Sequence, residues 1–209
     1  MPKQEKLKFD YEDYFNEKLE STAILMWGTH YQTFTFAFYL NQLYGFNLER
    51  HENITLERKS GEYSCSLYTY QINANQQAFF LIDNPKETAT PNIFDKTLLI
   101  IGPESQELAK RIYDDMEHRA TKENNFSTFE HEEMRNSFVE NGIFESALFD
   151  FSDPDYPDTT YFPDTSNNAA LQKKRQRFLK EQREYVADLI LALDPLQPDY
   201  ETEDILTTI

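Results

Sequence analysis

A single cysteine, Cys65, leaves this 209-residue chain unable to build an intrachain disulfide framework or a cysteine-based structural zinc site. A reducing cytoplasm is the expected setting. Five glycines are too few and too scattered for a phosphate-cradling loop: Gly102-Pro103-Glu104 has no second glycine, and no GxSxG elbow occurs. Basic residues are also scarce, with 20 Lys and Arg against 37 Asp and Glu giving a formal charge of -17. Such a charge repels phosphate backbones and disfavours nucleic-acid binding through a general surface. An acidic mimic of nucleic acid would need its carboxylates in ordered rows, so solubility is the ordinary consequence. No apolar run approaches the roughly 18 residues that a membrane-spanning helix needs. The opening MPKQEKLKFDYEDYF has no apolar core of the kind a secretory leader requires, so an unexported, membrane-free protein is expected.

What the chain does have is aromatic side chains, 13 Tyr, 17 Phe and one Trp, within a hydrophobic fraction of only 39%. A dense aromatic core diluted by polar segments follows. The length suits one domain with extensions. The expected division is an arm over 1–21, an α+β core over 22–154, a linker over 155–170, and a C-terminal helix with an acidic tail over 171–209.

Residues 23–27 form a wholly apolar run of strand length, and Gly28 then permits a sharp turn. Over residues 31–44, Phe36, Tyr39, Leu40 and Leu43 recur at helical spacing, and Gly45 is placed to cap that helix. Alternating segments at 53–58 and 63–72 flank a glycine-containing connection, and a short apolar strand at 79–82 should complete an antiparallel meander. A loop with Pro85 and Pro91 leads to a fourth apolar run at 97–101. Gly102-Pro103 then opens a helix carrying Leu108, Ile112 and Met116 through to residue 118, with Glu104 and Glu107 suited to its positive end. Residues 119–137 read as a polar, irregular stretch, an insertion or a helix extension with little to bury. Residues 143–151 supply one more strand, the prolines of 153–163 break regular structure, and 169–193 is the longest helical pattern. These elements predict an α+β fold: a mostly antiparallel sheet with two helices on one face, ferredoxin-like with an extra strand, plus a C-terminal helix.

This order of elements, with several short motifs, resembles the IPExxxVDY family of Bacteroidota proteins. The resemblance is carried by Trp27-Gly28-Thr29-His30, Phe38-Tyr39-Leu40-Asn41, Tyr68-Thr69-Tyr70 and Phe80-Leu81-Ile82-Asp83-Asn84. It continues in Ala147-Leu148-Phe149-Asp150-Phe151 with Asp153-Pro154, and in Leu171-Gln172-Lys173-Lys174, so that it spans residues 22–179. The naming signature would fall on Thr90-Pro91-Asn92 and Lys96-Thr97-Leu98, where only the proline is kept. The resemblance implies an α+β fold and a bacterial cytoplasm. The family has no established activity, so no catalytic residue follows from it.

Candidate sites are few. His30 stands where a strand turns into a helix, a place where an imidazole can meet a ligand, with Trp27 and nearby tyrosines as walls. Its ordinary role would be capping or packing. Asp114 and His118, four residues apart on one helix face, offer two ligands, and His131 with Glu132 and Glu133 could join them only if the next segment folds back. Two ligands make no site, and no metal or cofactor is assigned. Asp153, Asp155 and Asp158 imitate part of a calcium loop but lack its turn glycine and closing glutamate. Cys65, in phase with Tyr63 and Leu67, reads as a buried structural thiol.

The last helix concentrates Lys173, Lys174, Arg175, Arg177, Lys180 and Arg183 near its N-terminus, where cations oppose the helix dipole. The acidic residues of 150–164 are placed to compensate them. Phe178, Tyr185, Val186, Leu189 and Leu193 give the same helix an apolar stripe. Two functions are therefore expected. The first is a non-catalytic domain that engages a protein partner or a second copy through the C-terminal helix, using Lys173, Lys174, Arg177, Phe178, Tyr185 and Leu189. The second is a ligand-binding protein or enzyme with a pocket near His30.

Overall fold

The computed structural model describes residues 21–58, 61–72, 76–84, 94–117, 129–149 and 169–193. The expected arm apart from Ser21, most of the linker, the acidic tail and the Asp153, Asp155 and Asp158 group lie outside the described residues. In chain order the elements are β1 (Thr22–Thr29), α1 (Thr33–Tyr44), β2 (Glu49–Arg58), β3 (Gly61–Ile72), β4 (Gln77–Asp83), β5 (Lys96–Ile101), α2 (Ser105–Met116), α3 (Phe129–Gly142), β6 (Ile143–Phe149) and α4 (Ala169–Leu193).

The strands form one six-stranded sheet in the order β2-β3-β4-β5-β1-β6, antiparallel at every step. Four antiparallel steps separate β1 from β2, so these two strands run in the same direction with α1 between them in sequence. The result is a split β-α-β unit whose gap is filled by three strands. The α+β expectation holds. The ferredoxin comparison needs enlarging, because a four-stranded meander, β2 to β5, replaces a hairpin.

The apolar runs of β1, β4 and β5 do not alternate with polar residues because both faces of the central sheet are covered. Ala23, Leu25, Trp27, Phe79, Leu81, Leu98 and Ile100 project to one side, where they meet α1, α2 and α3. Ile24, Met26, Phe80, Ile82, Leu99 and Ile101 project to the other, where they meet α4. On α1, Phe36, Ala37, Leu40 and Leu43 turn inward. The expected cap is present: Gly45 adopts a left-handed φ of 68° and its N–H donates to Asn41 O at 3.1 Å. Asn41 then holds the turn into β2, accepting from Leu48 N at 2.8 Å and donating to Leu48 O at 3.1 Å.

Two expectations change. Helix α2 begins at Ser105 and not at Pro103, because Glu104 takes a positive φ of 60° and Gly102 one of 120°. A Cβ on Gly102 would lie 2.2 Å from Gln76 O, so no other residue fits that turn. The polar stretch read as an insertion or a helix extension holds the start of a separate helix, α3, which makes three helices on that face instead of two. Its anchor is Phe138, fully buried with its ring 4.5 Å from Tyr39, 5.1 Å from Phe36 and 5.2 Å from Tyr31. Burial of this ring contributes about 1.5–3 kcal/mol to docking the helix, with Met134 and Val139 packed beside it.

Helix α4 covers the opposite face. Tyr185, Val186, Leu189, Ile190 and Leu193 are buried there among Ile54, Leu56, Cys65, Leu67 and Phe94. The stripe that the sequence offered to a partner is therefore occupied by the chain's own sheet. No helix among the described residues is long and apolar enough to cross a membrane.

Candidate ligand site beside His30

Strand β1 ends at a turn tied to the end of α3. Thr29 Oγ1 donates to Gly142 O at 2.8 Å and accepts from Tyr31 N at 3.1 Å, while His30 N donates to the same carbonyl at 2.9 Å. A Cβ on Gly142 would come within 1.8 Å of the Tyr31 ring, so any side chain here has to displace that ring from its place against Tyr39 and Phe138. The His30 ring is exposed and rests on Phe144 with centroids 5.0 Å apart.

Next to this turn, sheet register sets Trp27 opposite Lys96, and Lys96 opposite Asp83. Lys96 is 3% exposed, and a buried ammonium is tolerated only with its charge and protons matched. They are matched here. Lys96 Nζ donates to Asp83 Oδ1 at 2.9 Å, to Asp95 Oδ2 at 2.6 Å and to Asp95 O at 3.4 Å. Asp95 Oδ1 accepts from Thr29 N at 2.8 Å, which ties the ion pair to the His30 turn. Asp83 is more open, its side chain 42% exposed, and only its Oδ1 is engaged among the described residues.

Asn84 links this corner to the far side of the sheet. Its N–H donates to Asp95 O at 2.8 Å and its Nδ2 to Thr97 Oγ1 at 2.6 Å, while Tyr185 OH on α4 donates to its Oδ1. A cavity of about 350 Å3 opens over these groups, lined by Thr29, His30, Tyr31 and Gln32 from the turn, Ser64 and Ser66 from β3, and Asp83, Asn84, Asp95 and Lys96 from the strand ends. A larger hollow of about 420 Å3 lies over Gln77, Pro103, Glu104, Glu107, Leu108 and Arg111. The His30 cavity differs in having a buried ion pair as its floor.

Of the two residues expected at a pocket, His30 is at one and Trp27 is not. Trp27 is fully buried in the core, 5.1 Å from Phe36, and its Nε1 has no hydrogen-bond partner among the described residues. Lys96, Asp83 and Asp95 were missed. Their signal was a charged residue at the end of each of two apolar strands.

On α2 the aspartate that meets other elements is Asp115 and not Asp114. Asp114 is only partly buried, and His118 lies outside the described residues. Asp115 is fully buried, and α3 does fold back onto it: Asp115 accepts from Arg135 Nη1 at 2.9 Å and Tyr44 OH at 3.0 Å, and its Oδ2 lies 3.0 Å from His131 Nε2. These contacts join α1, α2 and α3. Among the described residues no group of three or more His, Cys, Asp or Glu gathers as a metal site. Cys65 is fully buried, and desolvation, with Asp83 adding a smaller contribution, pushes its thiol up to about 11.

On α4, Tyr185 and Leu189 face the sheet and are 1% and 0% exposed, which corrects their assignment to a partner-facing surface. Lys173 is exposed, while the side chains of Lys174 and Phe178 lie outside the described residues. Arg177 Nε donates to Glu181 Oε1 at 2.7 Å and Lys180 pairs with Glu184 at 3.9 Å. At least part of the basic charge is thus balanced within the helix, at i and i+4, independently of the expected acidic segment.

The fold and this corner define a three-layered α+β domain with a polar cavity at the ends of its central strands. No protein-family model matches the chain, and neither the curated proteins nor the solved structures contain a match to it.

Proposed function

We propose that this protein is a non-catalytic ligand-binding domain that holds a small polar molecule in the cavity beside His30. The observation that carries this reading is the ion pair at the cavity floor: Lys96, 3% exposed, holds Asp83 and Asp95 in fixed positions facing an open space. Convergent polar groups held rigidly at the edge of a cavity are what small-molecule recognition needs. Resemblance to the IPExxxVDY family and a cytoplasmic setting belong to the same proposal. Two segments that carry the resemblance, Trp27 to His30 and Phe80 to Asn84, supply Thr29, His30, Asp83 and Asn84 to the cavity.

The test is a screen of small polar compounds by ligand-observed NMR, repeated with Ser66→Tyr to fill the cavity. Binders of the native chain should lose their signal with the variant. If no compound depends on the open cavity, the reading fails.

A second reading, a protein-interaction or self-association domain, is favoured by a different surface from the one expected. Phe34 and Phe38 lie four residues apart on α1 and are 65% and 55% exposed. Sedimentation of the same samples reports whether copies associate.

A further inference from the structure

We infer that the ligand of the His30 cavity is a small organic cation carrying a primary ammonium group; this rests on the ligand-site reading above. The positive charge at the floor is already committed. Lys96 directs its three N–H groups to Asp83 Oδ1, Asp95 Oδ2 and Asp95 O, leaving none for an anion. Two carboxylates against one ammonium leave the floor with a surplus negative charge. That surplus has an address: Asp95 has both oxygens engaged, whereas Asp83 Oδ2 has no partner among the described residues.

The rest of the cavity suits a cation's remaining needs. Ser66 offers hydroxyl lone pairs, Ser64 keeps one beyond that taken by Asn53 Nδ2 at 2.9 Å, and the exposed His30 ring, resting on Phe144, gives an alkyl chain a surface to lie against. The chain's formal charge of -17 raises the local concentration of cations and repels anionic competitors. At about 350 Å3 the cavity has room for a short diamine or amino alcohol with bound water. A divalent metal fits poorly, since a single open carboxylate oxygen cannot replace its hydration shell.

The experiment is a titration of the full chain with 1,4-diaminobutane, its mono- and diacetylated forms, sorbitol and inorganic phosphate, following the His30 imidazole resonances. The diamine should shift His30 and saturate, diacetylation should abolish the effect, and sorbitol and phosphate should be silent. Asp83→Asn keeps an acceptor for Lys96 but removes the charge, and should weaken the diamine about tenfold or more. Glu107→Gln, in the other hollow, should leave the affinity within twofold. A diacetylated probe that binds as well as the free diamine overturns the cation assignment, and so does equal weakening by both variants. A saturating response to sorbitol or phosphate alone overturns it while leaving the ligand site intact. Silence from every probe, with no cavity-dependent binder in the broader screen, overturns both.

Discussion

Replacing Asp115 with alanine should be among the most damaging single changes on the three-helix face. The carboxylate is fully buried and receives Arg135 from α3, Tyr44 from α1 and the His131 ring at 3.0 Å. Arg135 has a side chain only 11% exposed, so without Asp115 its guanidinium stays largely out of water with its counter-charge gone. Removing one partner of such a pair costs about 3–5 kcal/mol, far more than the pair's net contribution relative to an apolar replacement. For a domain of this size, 2–4 °C per kcal/mol translates the loss into a fall of roughly 6–20 °C in Tm. The assay is guanidinium unfolding followed by fluorescence of Trp27, the chain's one tryptophan, buried on the same side of the sheet. Asp115→Ala combined with Arg135→Met supplies the diagnostic comparison. If the cost arises from a stranded cation, the double variant should be more stable than the single one. A loss below about 1 kcal/mol, or a double variant less stable than Asp115→Ala, would refute the reasoning.

Two further predictions concern ionisation. Burial first, and the Asp115 charge second, hold the Tyr44 phenol well above its ordinary value of 10.0. The neutral phenol is therefore favoured by folding, and its contribution is complete below pH 10 and lost as pH rises from there through the folded-state value. Stability should fall by up to about 1.4 kcal/mol per pH unit in that window, and Tyr44→Phe should remove this part of the alkaline slope; an unchanged slope would contradict it. Cys65, raised to about 11 from 9.0 by burial and then by Asp83, should react with a thiol reagent at pH 8 only as fast as the domain opens. Labelling at the rate of a free thiol would show that the strand is not covered.

All six strands were legible because each carries a local signal: a short apolar run where both faces are covered, or an alternation near the sheet edge. The Gly45 cap was legible for the same reason, since a left-handed residue after a helical stripe leaves a mark in the sequence. Strand order was not, because pairings such as Trp27 with Lys96 depend on how crossovers pack. Helix α3 was hidden by its composition: Met134, Phe138 and Val139 are its apolar contacts among many charged residues. The i, i+4 pair of Met134 and Phe138, repeated by His131 and Arg135, was the available clue. At the site, His30 could be singled out by its place at a strand-to-helix turn. Asp83, Asp95 and Lys96 become a group only once β4 and β5 are paired. The apolar stripe of α4 was read correctly as sticky, but periodicity does not say whose surface it will meet.

The place of β1 between β5 and β6 also bears on the order in which the molecule can assemble. Its contacts with Asp95 and Gly142 span 66 and 113 residues of sequence, whereas β2 to β5 join one another through successive neighbours. Local pairings close with less loss of chain entropy, so the meander forms readily while β1 waits for partners that are made later. During synthesis, the apolar run Ala23 to Trp27 leaves the ribosome long before β5 and β6 exist to flank it. The strand most protected in the finished domain is thus the one that spends longest as an unguarded edge, and the segment where chaperone engagement or misassembly should concentrate.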